Sequence, residues 1–158
     1  MAHFAHLNSE NKVVHVSVVS NDIETSDGPL GENNMHVDGE TWCQNFHGDK
    51  PWTAENNVVA WKQCSFSGAF RKQMAALNGT YDPVRDEFVC PADVDRPSWV
   101  LNATNDWVSP LANNPSSGSS DYGDAVWEED NQRWIAYRSA EQENPDVWNT
   151  STQQWDLA

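Results

Sequence analysis

Four tryptophans near the C-terminal end stand in two pairs with one interval: Trp127 and Trp134 in "VWEEDNQRWI", then Trp148 and Trp155 in "VWNTSTQQWD". An indole is a large apolar plate with a single N–H at its edge. Its chemistry is therefore packing and stacking, against another indole, against a protein partner, or against the apolar face of a sugar. Nine tryptophans are many for 158 residues, so sugar contact competes with cross-strand packing as the reason for them. A ring buried in a pair cannot also stack a ligand. Trp127, Trp134, Trp148 and Trp155 are accordingly the candidate partner-binding residues.

The remaining reactive residue types do not assemble into a reaction. His3, His6, His15, His36 and His47 show no ligand spacing, and His3 and His6 fall on opposite faces of a strand, which argues against a metal site. Cys43, Cys64 and Cys90 are an odd, widely spaced set that fits neither a disulfide framework nor a zinc site, and they read as buried free thiols. There is no glycine-rich phosphate loop and no nucleophile elbow. The acidic stretches "DAVWEED" and "SNDIETSDG" miss the ligand spacing of a calcium loop and read as solvated turns. The expectation is a non-enzyme with no cofactor and no metal.

Nine Lys and Arg against 24 Asp and Glu give a net charge of −15. That surplus repels phosphate backbones and anionic lipid, so neither nucleic acid nor a membrane surface is an expected partner. Adaptation to salt and attraction to a basic partner both fit the acidity. The start "MAHFAHLNSENK" lacks a basic n-region and an apolar core, and no segment has the apolar length of a membrane span. The chain reads as unexported.

These residues must be positioned by short strands. "HFAHL" and "VVHVSVVS" flank a polar turn and predict an opening hairpin, and 21–39 holds loop punctuation. "GETWCQNFHG" spaces Trp42, Cys43 and Phe46 as a short helix, and "VVAWKQCSF" predicts a strand over 58–66. "SGAFRKQMAALNG" fits a loop or one helical turn. Tyr81 and Phe88 repeat the interval of seven, while Trp99 and Trp107 stand eight apart. The fillings between these aromatics lack the intermediate apolar residues of a buried helix face, so four hairpins are expected.

In this register Glu128 opposes Arg133 and Glu129 opposes Gln132, with Asp130 and Asn131 taking positive φ at the tip. Trp148 likewise opposes Trp155 around Ser151 and Thr152. Pro83 implies a longer loop in the Tyr81 hairpin, and "NAT" implies a three-residue loop with a bulge between Trp99 and Trp107. The predicted fold class is mostly β with minor α: a small antiparallel β domain with one short helix, followed by appended Trp-paired hairpins. Its divisions are a main domain at 1–110, a flexible connector at 111–124 from the small polar run "LANNPSSGSSDYGD", and two tandem Trp hairpins at 125–158. A two-stranded ribbon is marginal alone, so the last two hairpins need a neighbour and form the expected contact surface.

Several segments taken in order, "MAHFAHLNSENKVVHVSVVSND", "TWCQNFHG", "WKQCSFSGAFRKQMAALNGTYDPVRDEFV" and "PSWVLNATNDWVSP", carry a resemblance. Over most of residues 1–137 the chain is similar to the small proteins beginning Met-Ala-His-Phe-Ala of tailed phages that infect cyanobacteria and other marine bacteria. The resemblance implies a virion-associated protein, made in the host cytoplasm, with no catalytic residues to carry over. The acidic loop at 21–39 is longer, and the second Trp ribbon looks like an extra copy. The expected role is a structural accessory, first a capsid decoration protein on the shell, otherwise a tail fibre, spike or adaptor component that contacts host-surface carbohydrate through exposed tryptophan. Phage capsid or tail proteins are the expected partners, with carbohydrate and a second copy of the chain as further candidates.

Overall fold

"AHFAHLN" does not alternate cleanly between apolar and polar, which is the pattern of a strand covered on both faces. In the computed structural model, which describes residues 1–26, 28–32, 34–115 and 124–158, that strand is β1 (Ala2–Asn8), and it turns into β2 (Val13–Val19). A small ribbon follows, β3 (Glu24–Thr25) with β4 (Gly28–Pro29), then α1 (Val37–His47) and α2 (Pro51–Glu55), before β5 (Val58–Cys64) returns beside β1. The sheet order is β2-β1-β5, antiparallel throughout, with Phe4 opposite Ser17 on one side and Gln63 on the other.

Each face of this sheet has its own core. Phe4 packs with Val19, Leu30, Cys43, Val58 and Trp61 beneath the helices. Ala5 and Leu7, pointing the other way, pack with Val13, Cys64, Ala75, Tyr81 and Phe88. Phe4 and Leu7 are almost wholly buried, and each contributes about 1.5–3 kcal/mol by leaving water. In α1 the buried residues are Gly39 and Cys43, one turn apart on a single face. Gly39 is there for close approach, because a Cβ would stand 2.7 Å from Phe4 Cζ and 2.8 Å from Leu30 Cδ2. α2 was not expected from the sequence. It is a single turn begun by Pro51, whose fixed φ suits a first helical position, and is too short to show a helical period.

The second core is closed by the irregular segment 65–79 and by a hairpin, β6 (Thr80–Asp82) with β7 (Glu87–Val89), in which Tyr81 opposes Phe88 as the spacing predicts. Then come β8 (Val100–Leu101) with β9 (Trp107–Val108), and β10 (Val126–Glu128), β11 (Arg133–Ala136), β12 (Asp146–Asn149) and β13 (Gln154–Asp156). The last four form one antiparallel sheet in chain order. The protein is mostly β, with two helices where one was expected.

Residues group into two compact units, Met1–Pro91 and Ala92–Ala158. The division falls ahead of the 97–110 hairpin, not at residue 110 where the sequence predicts the main domain to end. That hairpin's Trp99 packs instead against the later tryptophans, with ring centroids 6.3 Å from Trp127 and 6.2 Å from Trp134. Trp99 is therefore not the partner of Trp107. Leu101 faces Trp107 across a five-residue loop in which Asn105 takes the left-handed turn. Residues 116–123 of the expected connector lie outside the described residues.

Candidate functional site

Strand alternation and register place the four candidate tryptophans together. Trp127 opposes Trp134 and Trp148 opposes Trp155, with ring centroids 5.4 and 5.3 Å apart in edge-to-face arrangement. β11 and β12 pair through Ile135↔Val147 and Ala136↔Asp146. Extending that register by one residue sets Trp134 beside Trp148, so the four indoles form one row across one face of the sheet. The two ribbons thus supply each other's neighbour. Edge-to-face pairs of this kind add about 0.5–1.5 kcal/mol beyond buried area.

Three of the indole N–H groups are spoken for within the unit. Trp127 Nε1 donates to Glu129 Oε2 at 2.6 Å, Trp134 Nε1 to Asn114 Oδ1 at 3.1 Å, and Trp148 Nε1 to the Asn113 carbonyl at 2.5 Å. All four rings are half-buried. Glu129 also accepts from the Ser98 N–H and hydroxyl at 2.8 and 2.9 Å, which ties the residue next to Trp99 to Trp127. Burial opposes ionisation of the Glu129 carboxyl, but the Trp127 and Ser98 donors outweigh it and lower its pKa.

The hairpin loops differ from the expected tip. Glu128 pairs with Arg133 as predicted, at 2.5 Å, but positive φ falls on Gln132 rather than on Asp130 or Asn131. Gln153 and Asp86 hold the same position in their hairpins, giving three four-residue loops closed by a left-handed last residue. An amide or carboxylate at the loop entrance stabilises two of them: Asn149 Oδ1 accepts from the Ser151 and Thr152 N–H groups, and Asp82 Oδ1 from those of Val84 and Arg85.

Two residues before Trp148 on β12, Asp146 is fully buried. Its Oδ1 accepts from Gln142, Arg138 Nη2 and the Ala158 N–H at 2.9, 3.2 and 2.8 Å, while Arg138 Nε lies 2.7 Å from Oδ2 as a charge contact. Burial raises its pKa, but the Ala158, Arg138 and Gln142 donors outweigh it and hold the carboxyl below the usual range. The face opposite the indoles carries Val126, Ile135 and Val147 in register across three strands. Val126 is 54% exposed and the other two are partly exposed.

In the first unit, His6 is fully buried. Its Nδ1 accepts the Trp61 indole N–H at 3.1 Å, so its Nε2 carries the proton toward Ser17 Oγ at 2.9 Å. The rings of His15, Trp52 and His47 stand 5.0, 5.1 and 5.2 Å from it. Burial, reinforced by His15 and His47, lowers the His6 pKa to about 3. Among the described residues no group of His, Cys, Asp and Glu is arranged to hold a metal ion, and no helix is long and apolar enough to cross a membrane. Cys43 and Cys64 are buried, with burial pushing the Cys43 thiol up to about 12, whereas Cys90 is exposed, against expectation.

The Arg71 guanidinium is buried, with no signature in the sequence. Arg71 donates to Glu40 at 2.5 Å, to the Gln63 carbonyl at 2.8 Å and to Asp86 at 2.7 Å, and Tyr81 donates a short hydrogen bond to the same Asp86. These partners come from α1, β5 and the β6–β7 hairpin, and no sequence spacing links them. Comparison with protein-family models, curated proteins and solved structures finds no match to this chain.

Proposed function

We propose that this protein is a structural accessory of a tailed-phage particle, a capsid decoration protein that docks on the shell through the second unit. The observation that carries the reading is the two-sidedness of the β10–β13 sheet. Its indole face is occupied by Trp99, Asn113 and Asn114, while the other face presents the Val126, Ile135, Val147 stripe. A small sheet with an apolar stripe on its outer face gains from a partner. The second unit has three basic side chains, Arg96, Arg133 and Arg138, against twelve acidic ones, so the matching shell surface is cationic. The resemblance of residues 1–137 to small phage proteins supports the same role. The tethered indole N–H groups weigh against the tryptophan row as an open sugar platform.

Quantitative mass spectrometry of purified particles tests this. A copy number commensurate with the major shell protein is expected. A few copies per particle would transfer the protein to the tail, and absence would end both readings. Ile135→Asp should abolish attachment while leaving the indole face and the first unit folded.

A further inference from the structure

The first unit holds a cleft of about 320 Å³ between α1 and the β3–β4 ribbon, lined by Glu24, Ser26, Asp38, Thr41, Trp42 and Asn45. That volume lies near the lower end of the ~300–1,000 Å³ of small-molecule sites and suits a single ring rather than a chain. Its composition is one indole among hydroxyl, amide and carboxylate groups. Phe46 stacks on Trp42 at 5.0 Å and 8°, and Trp42 also packs against the core of Phe4 and Leu30, so the indole is held rigid where it lines the cleft. Glu24, Thr41 and Asn45 line the cleft as exposed side chains, and Trp42 is half-buried there. Their polar groups are accessible to a ligand from solvent.

Asp38 is oriented. The Ser26 N–H donates to its Oδ2 at 3.2 Å and the Ser26 hydroxyl makes a short bond to the same oxygen. Those bonds keep the carboxyl ionised, and Oδ1 is left to accept. Two carboxylates exclude an anionic ligand. A ring with an apolar C–H face and several hydroxyls on its rim satisfies an indole, two acceptors, an amide and a hydroxyl together.

We infer that this cleft is a binding site for one neutral sugar residue, stacked on Trp42 and hydrogen-bonded by Asp38, Glu24, Asn45 and Thr41. The site lies on the first unit and does not depend on how the second unit docks. It moves the carbohydrate-binding role from the C-terminal tryptophans to Trp42.

The test is a heteronuclear NMR titration of the full chain with glucose, galactose, mannose and N-acetylglucosamine. At least one of them should give saturable shifts confined to the amides of residues 24–26 and 38–45. Asn45→Ala and Thr41→Val, both at exposed positions, should each weaken binding about fivefold to tenfold, the effect of one lost hydrogen bond. Trp42→Ala should remove binding, and Trp155→Ala should leave it unchanged. The inference is overturned if none of the four sugars saturates, if Asn45→Ala and Thr41→Val both bind like the parent, or if the shifts fall on residues 127–155. Saturation by choline in place of the sugars would also overturn it, since a cation would then be the ligand.

Discussion

His6 shows what one side chain can impose. Both ring nitrogens are used in the neutral form, and a proton on Nδ1 would break the Trp61 bond while placing a cation beside His15 and His47. Its pKa falls from 6.5 in the unfolded chain to about 3 in the folded one. Above pH 6.5 neither state binds the proton and stability is unaffected. Below it the unfolded state takes the proton first, so His6 should lower stability by about 1.4 kcal/mol per pH unit until the pH reaches the folded value. Urea unfolding at pH 7 and pH 5 measures this, and His6→Gln, which cannot take the proton, should flatten the difference. Arg71 is the second decisive residue. Removing its guanidinium takes a buried charged donor from Glu40, Asp86 and the Gln63 carbonyl, leaving Glu40 with Lys62 and the Gln63 N–H and Asp86 with Tyr81, so Arg71→Met should cost about 3 kcal/mol by the same measurement. A loss below about 0.5 kcal/mol would show that solvent already satisfies the carboxylates.

Elements are set by how closely they approach. α1 reaches the sheet because Gly39 has no side chain, and Gly39→Ala would drive a methyl into Phe4 and Leu30, both fully buried. A loss of about 1–3 kcal/mol is expected, visible as a lower thermal midpoint. In the second unit, Trp127 is half-buried, not enclosed, and touches Trp134, Trp99 and Glu129. Trp127→Ala should therefore cost about 2 kcal/mol, below the ~3–5 of a fully buried aromatic. Hairpin registers were legible because facing aromatics seven apart with turn-forming fillings leave few alternatives, and Trp127/Trp134, Trp148/Trp155 and Tyr81/Phe88 all pair so. The same rule misassigned Trp99, since an interval of eight admits a shifted register and only tertiary packing decides between them.

For the whole molecule, the division into Met1–Pro91 and Ala92–Ala158 makes a clear expectation. Deleting residues 138–158 removes β12, β13 and the Asp146 cluster, and strips β11 of a partner. The second unit should then lose its structure while the first keeps its amide dispersion in NMR spectra. Collapse of both sets of signals would show that the first unit cannot stand without the second. If the second unit docks as proposed, attachment to particles should be lost in the same variant, because the Val126, Ile135, Val147 stripe loses Val147.

Alone, the sequence determined the mostly β class, the facing tryptophan pairs and the acidic surface, because strand periodicity, turn chemistry and charge are local or additive properties. Tertiary structure decided that Trp99 joins Trp127 and Trp134, the use of three indole N–H groups within the second unit, and the gathering of His6, His15 and His47. It also decided the burial of Arg71 and the cleft beside Trp42. Apart from the Trp127–Glu129 bond, those features join residues 8 to 41 positions apart in the chain, and contacts at such separation are settled by how faces pack, which no local pattern encodes.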